Sequence, residues 1–118
     1  MLVRVNLGAV ALEETVAHGG RGTIRFRRVA DGESTEGSCN FIDLAVLPPG
    51  ASIGRHTHSP EEEEFYLVLS GSGRMVRDGE ELRLTAGDLV RNRPGGTHQL
   101  ENDGDADLRI FVFEVRAP

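Results

Sequence analysis

Two neighbouring histidines, a run of acid and a third, distant histidine are the residues of this chain whose types and spacing could do chemistry. They begin in the stretch Gly50 to Gly71, GASIGRHTHSPEEEEFYLVLSG. His56 and His58 stand two residues apart. In an extended strand, side chains alternate between the two faces of a sheet, so both imidazoles point the same way. Two imidazoles on one face, with a carboxylate arriving from the next strand, make a clamp for a divalent metal ion. The run Glu61 to Glu64 offers the carboxylate, and His98 follows a Gly/Pro-rich turn forty residues after His58. Three His and one Glu leave coordination positions open on an octahedral or five-coordinate ion. Open positions distinguish a reactive metal site from a structural one.

The elements that must position these groups read as short strands. Met1 to Asn6 alternates weakly and reads as an edge strand, and Leu7 to Ala17 is the one stretch with a helical pattern. His18 precedes Gly19-Gly20 and reads as an exposed loop residue. From Thr23 the period is two, with Thr23, Arg25 and Arg27 on one face and Ile24, Phe26 and Arg28 on the other. Strands are expected over Asn40–Leu47, Ser52–His58, Glu63–Ser70, Leu89–Asn92, His98–Asn102 and Leu108–Val115. Gly73 to Leu84 is a hairpin around Asp78-Gly79, a type I′ turn that pairs Met75 with Leu82 and Arg77 with Glu80. Nine or ten short strands at this spacing predict an all-β sandwich or barrel.

Composition bounds the rest. A chain of 118 residues is long enough for one core and too short for two. There is no Lys, which excludes Schiff-base and phosphate-lysine chemistry. The net charge of −6 argues against nucleic acid or an anionic membrane as partner. Cys39 is the lone cysteine, so no intrachain disulfide forms; it reads as a small, partly buried residue at a strand end. No apolar run is long enough for a signal peptide or a membrane span, and the default location is cytoplasmic.

With these residues in register, the chain resembles the cupin superfamily of small jelly-roll barrels. The first cupin motif, G-x5-H-x-H-x3,4-E-x6-G, is matched by Gly50, His56, Thr57, His58, Glu64 and Gly71. The second, G-x5-P-x-G-x2-H-x3-N, keeps its distances at Gly87, His98 and Asn102. The first departs by one extra residue between His58 and Glu64, which leaves Glu63 as an alternative ligand and Glu62 as a weaker one. Alternation favours Glu64, which shares a face with Tyr66, Val68 and Ser70. The second motif has Arg93 at its proline position and Pro94 one place later.

The resemblance implies an all-β, double-stranded β-helix (jelly-roll) barrel in one domain over 1–118. The barrel core spans about residues 40–115, and edge strands lie in 1–39. It implies one divalent metal ion per chain (Mn, Fe, Ni, Zn or Co) on His56, His58, Glu64 and His98. Tyr66 and Arg91 are the catalytic candidates. Tyr66 could hydrogen-bond a substrate or donate a proton, and Arg91, if it faces inward, could clamp a carboxylate. The same question of facing applies to Arg25 and Arg27. Met75, Leu82, Phe111 and Phe113 read as core. The expected function is a metal-dependent isomerase, lyase or dioxygenase acting on a small oxygen-rich molecule such as a keto acid, sugar or phenolic. The alternative is a barrel that binds a small ligand without turning it over. A homodimer is expected, with outward Phe65, Leu67 and Leu69 covered by a second copy.

Overall fold

A computed structural model describes residues 1–118. It contains ten strands and no helix: β1 Glu13–Thr15, β2 Ile24–Asp31, β3 Cys39–Leu47, β4 Ser52–Thr57, β5 Glu62–Ser70, β6 Ser72–Arg77, β7 Glu80–Thr85, β8 Leu89–Asn92, β9 Thr97–Glu101 and β10 Leu108–Arg116. Six form one antiparallel sheet in the order β1-β2-β3-β10-β5-β8, and four form the other, β4-β9-β6-β7. The two sheets close over a shared apolar interior, the jelly-roll arrangement.

Alternation along each strand decides what enters that interior. Ile24, Ala45, Leu47, Val68, Ile110 and Val112 come from the large sheet, and Ile53, Met75, Leu84 and Leu100 from the small one. Leu82 packs against this cluster. Phe111 and Phe113 do not join it, contrary to expectation. Ile110, Val112 and Glu114 point inward on β10, so the two phenylalanines point outward, where Phe113 stacks on Phe65 at 4.8 Å between ring centroids. A strand apolar on both faces hides its own period, and only a neighbour shows which half is inside.

The N-terminal expectations also need correction. Leu7 to Ala17 is not helical: residues 7–9 make a turn, and Glu13–Thr15 pair with β2 as an edge strand. Gly8 weakens the helix, and the open edge of β2 offers backbone partners that a marginal helix of this length cannot match. Met1 to Asn6 forms no strand.

Turn chemistry holds where it was strongest. The β6–β7 hairpin pairs Met75 with Leu82 and Arg77 with Glu80, with φ of 50° at Asp78 and 80° at Gly79, as a type I′ turn requires. Gly71 also has a positive φ, +83°, and a Cβ there would lie 2.3 Å from the Asp107 carbonyl oxygen.

Asn102 ties the two ends of the barrel wall together. Its fully buried amide donates to the carbonyls of Leu47 and Ala106, each at 2.8 Å, and accepts from the Gly104 backbone N–H at 3.0 Å. Asn102→Ala strands these buried backbone groups and is expected to lower unfolding stability by roughly 2–4 kcal/mol. Urea denaturation checks this, and a loss under about 0.5 kcal/mol would show that the amide is dispensable.

Candidate functional site

β4 and β9 carry the histidines. His56 lies directly across from His98, with their ring centroids 4.4 Å apart. His58 sits just past the end of β4, where its backbone N–H donates to the Gly96 carbonyl at 3.0 Å. The β4–β9 register is irregular between Ile53 and His56. Ile53 and His56, an odd number of residues apart, both face the interior, so this bulge re-aims the histidine strand. From the opposite sheet comes Glu64, 4% exposed, with Oε1 3.0 Å from His98 Nε2 and 3.3 Å from His58 Nε2.

One donor atom from each of His56, His58, Glu64 and His98 lies within 4.8 Å of the others. The four residues singled out in the sequence therefore converge. Glu63 does not join them: it faces outward and accepts from Arg91 Nε at 2.5 Å. That contact also corrects the reading of Arg91, which is exposed on β8 and takes no part in the cavity. Arg25 and Arg27 likewise face away, Arg25 to Asp107 and Arg27 to the Ala11 carbonyl.

The electrostatics follow from burial and neighbours. Burial holds the His56 imidazolium down to about 4, and its Nδ1 lies 2.8 Å from the Gly54 carbonyl, which leaves Nε2 for a ligand. The carboxylates of Glu114 and Glu64 hold His58 protonated up to about 10. Burial alone would raise the Glu64 carboxyl, but His58 and His98 beside it bring it down to about 2. Tyr66, fully enclosed, has its hydroxyl 3.3 Å from His98 Nε2, and burial together with Glu64 pushes its ionisation well above the usual phenol range. It stays a phenol, able to donate.

The donor set fits a divalent ion. His58 Nε2 and Glu64 Oε1 are buried side-chain atoms without an aligned hydrogen-bond partner, both aimed into the cluster. Borderline nitrogen donors with one hard oxygen suit Mn, Fe, Co, Ni and Zn alike.

The cluster forms part of the wall of a cavity of about 530 Å³. Several residues that line it were not singled out in the sequence. His18 is an exposed loop residue, as expected, but held at a φ of 50° it also stacks on His56 with centroids 3.6 Å apart. Glu114 sits beside Glu64 across β10 and β5, with Oε1 3.1 Å from His58 Nδ1, and Asn40 donates to its Oε2 at 2.9 Å. Glu62, named in the sequence only as a weaker ligand alternative, lies 3.8 Å from the same His58 nitrogen. Arg28 and Asp43 pair on the opposite wall. A signal existed for three of these, since Asp43 and Glu114 are charges within apolar strands and Arg28 shares the face of Phe26. No local pattern marks His18.

The sequence model of the Cupin domain family matches residues 43–114. The chain belongs to the cupin family. Among cupin relatives, the oxalate-binding protein of Thermotoga maritima is 32% identical over 97 residues, covering 82% of this chain and 79% of that protein. A crystal structure from the same organism, described as a predicted oxalate decarboxylase, superimposes with a TM-score of 0.89 at 28% identity over 98% of this chain and 99% of its own. The tetracenomycin polyketide synthase protein TcmJ of Streptomyces glaucescens is 32% identical over 82 residues, which cover 70% of this chain and about half of that protein, 52%.

Proposed function

We propose that this cupin is a metal-dependent enzyme acting on a small oxygen-rich molecule such as a keto acid, sugar or phenolic, by isomerisation, lysis or dioxygenation. The observation that carries this is the convergence of four metal-type donors, three of them (His56, His58 and Glu64) in the wall of an open cavity that also presents a protonated phenol and further carboxylates. A sealed apolar pocket would suit storage of a ligand; inward hydrogen-bonding groups beside the ion suit chemistry. Bound at His56, His58, Glu64 and His98, a divalent ion supplies Lewis acidity or, for a redox-active metal, dioxygen chemistry.

The protein's own groups do the rest. Tyr66 keeps its proton at Oη beside His98, placed to hydrogen-bond a substrate oxygen or to give up that proton. Glu114 fixes the His58 ring through Nδ1 and is itself held by Asn40. The apolar wall excludes water from the side facing the core.

The test is turnover of keto-acid, sugar-phosphate and catechol panels by protein loaded in turn with Mn, Fe, Ni and Zn, against Tyr66→Phe. Turnover that needs metal and falls by roughly 100-fold or more in Tyr66→Phe supports the reading. Binding without turnover across all metals would favour the second reading, a ligand-holding barrel, to which the name of the Thermotoga oxalate-binding relative points.

A homodimer is part of the proposal. Phe65, Phe111 and Phe113 form an outward aromatic cluster, with exposed Leu69 and Leu89 on the same sheet. Gel filtration is expected to give about twice the 12.8 kDa chain mass, and a monomer would overturn this. A cytoplasmic setting is proposed on the lone, partly buried Cys39.

A further inference from the structure

The charges and walls of the cavity select what it can hold. Arg28 is its single arginine, and the Nε–Nη2 edge of its guanidinium is committed to one carboxylate. Nε donates to Asp43 Oδ1 at 2.9 Å and Nη2 to Oδ2 at 3.0 Å, while the guanidinium carbon lies 4.2 Å from the centroid of the Phe41 ring. This side-on pair neutralises the guanidinium with Asp43 and leaves only its Nη1 edge uncommitted. The other acidic groups facing the cavity are Glu62, Glu64 and Glu114.

A divalent ion on the histidines therefore meets one carboxylate directly and two more around His58. Four carboxylates, counting Asp43, face one arginine there. Even with a divalent ion the cavity has no positive charge to spare for a dianion, and like charge repels it. The large sheet also presents apolar surface to the cavity, with Ile24, Phe26, Phe41 and Val112. At about 530 Å³ the space suits a ring-bearing molecule and leaves a dicarboxylate of a few atoms loosely held.

We infer that the site takes a neutral or singly charged chelating ligand, with two neighbouring oxygens on a flat apolar body, and disfavours small dianions. This rests on the metal-dependent reading above. The ligand class is that of tropolones, catechols and aromatic hydroxyketones. The oxygen pair faces the histidines and the ring lies against Phe26 and Phe41.

The test uses the full chain loaded with zinc, whose uptake is measured first by elemental analysis. A chain that takes up no zinc overturns the metal reading and this inference together. With zinc bound, calorimetric titration compares tropolone with oxalate, each normalised to its affinity for the free ion. Tropolone is expected to be favoured by at least about tenfold. Asp43→Asn releases the Arg28 fork and is expected to raise oxalate affinity about tenfold with tropolone unchanged. Phe26→Ala, which leaves the charges in place, is expected to weaken tropolone alone, by about tenfold. Zinc-loaded wild type that prefers oxalate, or a Phe26→Ala protein that binds both probes as wild type does, overturns the inference while the metal reading stands.

Discussion

Glu64→Gln protein is expected to purify with less than about 0.1 divalent ion per chain, where the wild type holds close to one. Glu64 is the one carboxylate of the four-donor cluster and the only contribution to it from the large sheet. Glutamine keeps the volume and removes the charge, so the barrel should survive. Loss of an outer partner of a metal ligand costs about 10–100-fold in affinity, and loss of a ligand itself costs more. The second readout is thermal stability. Excess ion at about 100 times its dissociation constant stabilises the wild type by about 2.7 kcal/mol through binding to the folded state, and should do nothing measurable for Glu64→Gln. His56→Ala provides the matching result from the small sheet. A Glu64→Gln protein that retains near-stoichiometric metal would remove the assignment, and Glu63→Gln, which touches only the outward contact with Arg91, should bind metal as wild type does.

Metal binding near neutral pH is expected to release about one proton from His58. Glu114 and Glu64 keep that imidazole protonated up to about 10, whereas a metal needs the lone pair on Nε2. His56, near 4, and Glu64, near 2, already lack their protons at pH 7 and release none. Proton and ion thus compete at one nitrogen, and apparent affinity should rise about tenfold per pH unit between pH 6 and 8. Calorimetry in two buffers of different ionisation enthalpy counts the proton, and a pH-independent affinity would contradict the arrangement. The same shift sets the behaviour of the metal-free protein. Because the folded-state value of His58 lies above its unfolded value, its pairing with the two carboxylates contributes fully below about pH 6.5. That contribution is lost as pH rises toward 10. Below about 6.5 the sign reverses for His56, which must be buried neutral, so stability falls again as pH drops toward 4.

Much of the site was legible from local pattern. The spacing of His56 and His58, the alternation that puts Glu64 with Tyr66, and the Asp78-Gly79 hairpin each depend on neighbours within a few residues. The chain carries those preferences wherever it folds. The choice between Glu63 and Glu64 shows where local pattern stops. Counting leaves two adjacent carboxylates, and the structure separates them by turning one to Arg91 outside and the other to His98 inside.

Other assignments depended on which surface each strand finds opposite it. Phe111 and Phe113 look like core because β10 is apolar on both faces, and its pairing between β3 and β5 decides that Val112 and Glu114 are the inward half. The same parity brings Glu114 beside Glu64, fifty residues earlier in the chain. His18 reaches His56 because its loop packs on β4, where Gly54 donates its backbone N–H to the Ala17 carbonyl at 3.0 Å. The expected helix over Leu7 to Ala17 gave way to an edge strand for a similar reason, since β2 had an open edge to fill.

By itself, then, the sequence determined an all-β barrel, its turns, and three histidines with an adjacent pair of glutamates, Glu64 favoured over Glu63, that fit a metal ion, because strand period, turn conformation and ligand type are properties of a few consecutive residues. Tertiary structure alone decided the ligand cavity: Arg28 closed on Asp43, Glu114 behind His58, His18 over His56, and Arg91 turned away. Those placements follow from sheet register and one bulge in β4, and register is set by burial across the whole barrel rather than by any stretch of it.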